Sequence, residues 1–202
     1  MELIEATRQG KIRQVIRLLE RGDDINTSDD YGATPLHIAS EEGYMNIVNL
    51  LLKGGANIQS RDHNGNTPLH CTSFYFSSRR KGRQTEIVKL LLNHGANVDA
   101  QNDKGETPLH IASDNGHADI IVLLLKSGAN VDVQDHYDNT PLHYACYGWH
   151  SNVVELLLKS GANTEITNNK DGKPKECTKD EDILKLFEDH ANIPDVKEPE
   201  CE

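Results

Sequence analysis

A four-residue phrase returns four times along the chain: Thr34-Pro35-Leu36-His37, Thr67-Pro68-Leu69-His70, Thr107-Pro108-Leu109-His110 and Thr140-Pro141-Leu142-His143. The intervals are 33, 40 and 33 residues. A fixed period of that size marks a stack of like supersecondary units, each burying its apolar face on its neighbours. The phrase reads as a helix start. Thr is a good N-cap, and Pro at the next position lacks only an N–H that would go unpaired there. Leu then points inward, and His stands one turn into the helix.

A second apolar run follows each phrase: Ile47-Val48-Asn49-Leu50-Leu51-Leu52, Ile87-Val88-Lys89-Leu90-Leu91-Leu92, Ile120 to Leu125, and Val153-Val154-Glu155-Leu156-Leu157-Leu158. Each run closes on a glycine, Gly55, Gly95, Gly128 or Gly161, followed by Ala-Asn. Glycine there suits the left-handed residue that ends a helix. The unit is therefore two helices and a connecting turn.

These motifs, in register over residues 2 to 193, resemble the ankyrin repeat, in which a helix–turn–helix is followed by a projecting β-turn finger. The resemblance implies an all-α solenoid of about six units. Residues 1–28 form an opening cap, in which Leu3, Ala6, Gly10, Val15, Leu18, Leu19 and Gly22 keep the register while charged residues take the other positions. Repeats span 29–61, 62–101, 102–134 and 135–167, and 168–193 form a closing cap. In that cap Pro174 keeps the period, but Lys173, Lys175 and Glu176 replace Thr, Leu and His, and the second helix returns about three residues early at Ile183. Residues 194–202, acidic and with little to bury, are expected to be disordered. In the fifth unit Asp138 and Trp149 stand where glycine is expected.

Only 36% of the 202 residues are hydrophobic and 5% aromatic, a thin core that a solenoid explains because each unit packs only on its neighbours. The net charge of −11 argues against nucleic acid or an anionic membrane as the main partner. No run approaches a membrane span, and the acidic, amphipathic start is unlike a secretory signal. Cys71, Cys146, Cys177 and Cys201 have no metal or redox spacing. They read as reduced thiols of a cytoplasmic or nuclear protein.

Ten histidines invite a metal reading. The resemblance gives His37, His70, His110 and His143 a structural role, bonding the capping Thr and nearby backbone. His143, Cys146 and His150 fall at i, i+3 and i+7, with no fourth ligand in view. No Gly-x-Ser-x-Gly, phosphate-cradling loop or His-Glu-x-x-His is present, so the expectation is a non-enzyme without a cofactor.

What the resemblance implies is a protein-binding module, a monomeric adaptor or stoichiometric inhibitor. The alternative is a targeting subunit or a secreted effector that captures a host protein. Partners of the family engage the finger tips and the inner face of the first helices. Carried over, the partner-binding positions are Asp30, Tyr31, His63, Asn64, Asp103, Lys104, Glu106, His136 and Tyr137 on the fingers, with Ala33, Asn66 and Asn139 beside them. Glu41, Glu42, Asp114, Asn115, Tyr147 and Trp149 complete them at the helix ends. The acids among them suit a basic or mixed partner surface. The third unit holds seven extra residues between its helices, carrying Phe74, Tyr75, Phe76, Arg79, Arg80, Lys81 and Arg83. Such a loop is either tolerated, since lengthening adds only about 0.6 kcal/mol per doubling, or a docking element for an acidic or phosphorylated patch.

Overall fold

A computed structural model describes residues 1–74, 81–170 and 172–192. Among them the regular structure is helical throughout, with no strand. The helices come in pairs: α1 (Glu2–Arg8) with α2 (Ile12–Glu20), α3 (Pro35–Glu41) with α4 (Met45–Lys53), and α5 (Pro68–Cys71) with α6 (Lys81–Asn93). They continue with α7 (Pro108–Asp114) and α8 (Ala118–Lys126), then α9 (Pro141–Tyr147) and α10 (Ser151–Lys159). A single 3-10 turn, Pro174–Cys177, precedes α11 (Glu181–Ala191).

Two layers result. First helices α1, α3, α5, α7 and α9 pack each on the next, and the 3-10 turn packs on α9. Second helices α2, α4, α6, α8, α10 and α11 form the other layer in the same order. The sequence spacing dictates the interior. Leu36, Leu69, Leu109 and Leu142 are sealed between first helices, and α4, α6, α8 and α10 each turn an i, i+1, i+4 trio inward. Those trios are Ile47, Val48 and Leu51; Ile87, Val88 and Leu91; Ile120, Ile121 and Leu124; Val153, Val154 and Leu157. Sealing each such side chain stabilises the stack by roughly 1.5–3 kcal/mol.

Three departures from the repeat matter for the surface. In the third unit α5 stops at Cys71, while α6 starts at Lys81, four residues before the position matching Met45. Lys81 and Arg83 therefore belong to the second helix and not to an interhelical loop, and α5 ends before Phe74. Tyr75, Phe76, Arg79 and Arg80 lie outside the described residues. In the last unit the first helix is reduced to the 3-10 turn, and Pro174 is its buried residue. In the fifth unit Asp138 and Trp149 take the glycine conformation, with φ of 60° and 57°.

Candidate functional site

Each finger is shaped by one side chain. The Oδ1 atoms of Asp29, Asp62, Asn102, Asp135 and Asn168 each accept the backbone N–H groups two and four residues on, at 2.8–3.1 Å. Asx residues favour this local turn because a short side chain reaches its own backbone. Neighbouring fingers are then stitched together by main chain. The N–H groups of His63, Asp103, His136 and Asn169 donate to the carbonyls of Tyr31, Asn64, Lys104 and Tyr137 at 2.9–3.0 Å. Side-chain amides join two of these seams, from Asn102 Nδ2 to Asn66 Oδ1 and from Asn168 Nδ2 to Asn139 Oδ1, both at 3.0 Å.

Beneath each finger the phrase histidine makes a latch. The Thr N–H donates to the histidine Nδ1 at 3.0–3.1 Å in all four repeats. The reverse half of the cap is weaker, the His110 N–H reaching Thr107 Oγ1 at 3.4 Å. Because Nδ1 accepts, the ring proton sits on Nε2, and Nε2–H donates into the following unit. Its acceptors are the carbonyls of Asn66, Glu106, Asn139 and Gly172, at 3.0–3.1 Å. Burial holds all four imidazoles below their ordinary pKa, His70 down to about 4. These are neutral structural groups, as the resemblance implies. His150 is engaged too, its Nε2 donating to the Asp114 carbonyl at 2.8 Å. Among the described residues no three His, Cys, Asp or Glu side chains are grouped to hold a metal.

Two clefts open between fingers and first helices. The first, about 240 Å³, brings together His63, Asn64, Asp103, Lys104, Glu106 and Phe74, with Asn66 and Asn102. The second, about 410 Å³, joins Tyr137 and Tyr147 to Asn139, Asn168, Asn169 and Lys170. Tyr147 accepts from Asn168 Nδ2 at 3.0 Å, which pins its ring. Asp30, Tyr31 and His136 are exposed along the same finger row. Glu41 and Glu42 close α3, and Asp114 and Asn115 close α7. Trp149, 70% exposed, stands in the turn from α9 to α10, apart from both clefts. Arg83 is exposed at the start of α6, against a third depression formed with Tyr44 and Met45.

Some of the expected rim charges are occupied within the protein. Asp103 pairs with Arg61 at 2.8 Å. Glu106 accepts from Asn102 Nδ2 at 2.9 Å and lies 3.0 Å from the Tyr144 hydroxyl, which also reaches Asp135 at 2.8 Å. Tyr144, Asn168, Asn169 and Lys170 were not among the expected site residues. The signal for the last three was present, since Asn168 lies 33 residues after Asp135 and repeats its finger role, but the degenerate helix beyond it marked the unit only as a cap.

A family model of three ankyrin repeats matches residues 3–78 and 74–168. The chain belongs to the ankyrin-repeat family. A search of curated proteins finds no match. Ankyrin repeats are in general protein–protein interaction modules and typically non-catalytic. No helix among the described residues of this ankyrin-repeat chain is long and apolar enough to cross a membrane.

Proposed function

We propose that this chain is a non-catalytic adaptor or stoichiometric inhibitor that grips a protein partner across its finger tips and first-helix ends. One observation carries the reading. Among the described residues the exposed aromatics are Tyr31, Tyr137, Tyr147 and Trp149, at 76%, 55%, 44% and 70%, and all stand on fingers or at the end of a first helix. Tyr and Trp left in water have no core to fill, and they are the usual anchors of interfaces. Cys71 and Cys146 are buried free thiols, which fits a cytoplasmic setting.

Affinity capture followed by kinetics on the captured partner tests this. Tyr137→Ala or Trp149→Ala should speed dissociation, by about 2 kcal/mol where the ring is a hot spot. Charge reversal at Glu41 and Glu42 should instead slow association, most at low salt. Folded variants that all bind as the parent does would place the interface elsewhere.

A further inference from the structure

Four residues share one register position, six after the proline that opens each first helix: Glu41, Phe74, Asp114 and Tyr147. Glu41, Asp114 and Tyr147 are the last residues of α3, α7 and α9, and Phe74 stands three residues past the end of α5; because these first helices pack in order, the four follow one another along the stack at unit spacing. The column alternates carboxylate, aromatic, carboxylate, aromatic. Packed helices lie roughly 8–10 Å apart, so like groups recur about every 16–20 Å.

Each aromatic is the helix-side wall of a cleft whose other wall is finger amides. Phe74 faces Asn64 and Asn66, and Tyr147 faces Asn139 and Asn169. Neither carboxylate belongs to an ion pair among the described residues. Arg8 is spent on Asp29 and Arg61 on Asp103. His150 donates its Nε2 to the Asp114 backbone carbonyl and makes no hydrogen bond to the carboxylate. Both side chains are exposed, yet partial desolvation raises the pKa of each; Glu42 adds to this at Glu41 and Glu106 at Asp114, while Arg8 and His150 nearby pull the other way. A carboxylate that has lost part of its hydration gains from an incoming cation that pairs with it directly.

We propose that this column and the finger amides opposite it hold an extended segment of a partner protein, bearing two arginine or lysine side chains six residues apart with an apolar side chain midway. The inference rests on the binding reading above and specifies its ligand. An extended polyproline-type chain presents the same face every three residues, about 9 Å apart, which matches the unit spacing. Cations at i and i+6 then meet Glu41 and Asp114, and apolar groups at i+3 and i+9 enter the Phe74 and Tyr147 clefts. An extended backbone also leaves its N–H and C=O groups free for Asn64 and Asn169, whereas a helix uses its own internally.

A displayed library of random peptides about ten residues long, enough to span the column, tests this. The peptides selected on the full chain should share the cation–apolar–cation spacing. Re-synthesised and measured by fluorescence anisotropy, they should weaken roughly tenfold on Glu41→Gln or Asp114→Asn, and lose affinity as salt rises. Phe74→Ala should weaken them with little salt dependence, and melting temperatures would show that each variant is folded. Selected peptides that need Tyr137 and Tyr147 but carry no paired cations, or carry them at helical heptad spacing, would overturn this inference and leave the binding face standing. Peptides indifferent to every one of these substitutions would overturn both readings. Failure to select any peptide above background would overturn the ligand chemistry proposed here.

Discussion

At the scale of single residues, the histidine latch ties stability to pH. Each imidazole must be neutral, because Nδ1 accepts the Thr N–H and would repel it if protonated. Above about pH 6.5 folded and unfolded chains both carry neutral rings and the contribution is whole. As pH falls the unfolded chain takes up protons first, so stability is lost from there down to the folded pKa, about 4 for His70. For His70 that interval amounts to about 3 kcal/mol. Melting curves read by circular dichroism should therefore drop steadily below pH 6.5. In His70→Ala the melting temperature at pH 7 should already be low, by roughly 2–4 kcal/mol of stability, because the buried Thr67 N–H and Glu106 carbonyl lose their partner; its further fall in acid should be shallower. A second contrast concerns the finger glycine. At Gly105, φ is 78° and a Cβ would lie 2.8 Å from the His136 nitrogen, so Gly105→Ala meets both strain and a clash. Asp138 already carries a side chain at the equivalent place. Asp138→Gly should change unfolding free energy by under about 1 kcal/mol, whereas Gly105→Ala should exceed that in urea titration.

At the scale of elements, the fingers depend on their Asx residue more than on their tips. Asn102 holds its own turn through Oδ1 and the preceding finger through Nδ2. Asn102→Asp preserves the turn but removes both amide donors and sets a charge beside Glu106, and it should destabilise by about 1–3 kcal/mol. Asn102→Ala, which loses the turn as well, should be worse; chemical denaturation of the pair checks the order. The helix starts were legible because Thr, Pro and His act within one turn, and the inward leucines because their spacing is helical. The seams between units were not, since Nε2 of His37 finds Asn66 across 29 residues and Tyr144 finds Glu106 across 38. Helix boundaries slipped where local signals conflicted. Lys81 to Gln84 continue naturally into the helical pattern of Glu86 to Leu92, so α6 absorbs residues that the repeat count assigned to a loop. In the last unit Lys173 and Glu176 keep the proline turn, Lys173 N–H donating to Glu176 Oε2 at 2.8 Å, but the Asp180 cap restarts the helix too soon for a full first helix to form. The site was legible as a row of fingers and helix ends, and the clefts were not, because they depend on which side chains stand opposite one another.

For the whole molecule, stability is shared between neighbours and the ends are the weak points. The last unit covers α10 with Ile183 and Phe187, both buried. Removing everything from residue 168 onward would bare Val154, Leu157 and Leu158 and strip His143 of its Gly172 acceptor. The shortened chain should melt at least 5 °C lower and aggregate at concentrations where the parent stays monodisperse, as calorimetry and light scattering would show. The latch also has a direction. Every ring donates towards the C-terminus: His37 to Asn66, His70 to Glu106, His110 to Asn139, His143 to Gly172. On a ribosome this sets an order of events. A freshly made repeat has its imidazole N–H ready some thirty residues before the carbonyl that accepts it, a wait of about two to six seconds at ordinary elongation rates. The growing chain thus carries one unfinished seam at its leading end, moving forward a repeat at a time, and only the synthesis of Gly172 closes the last.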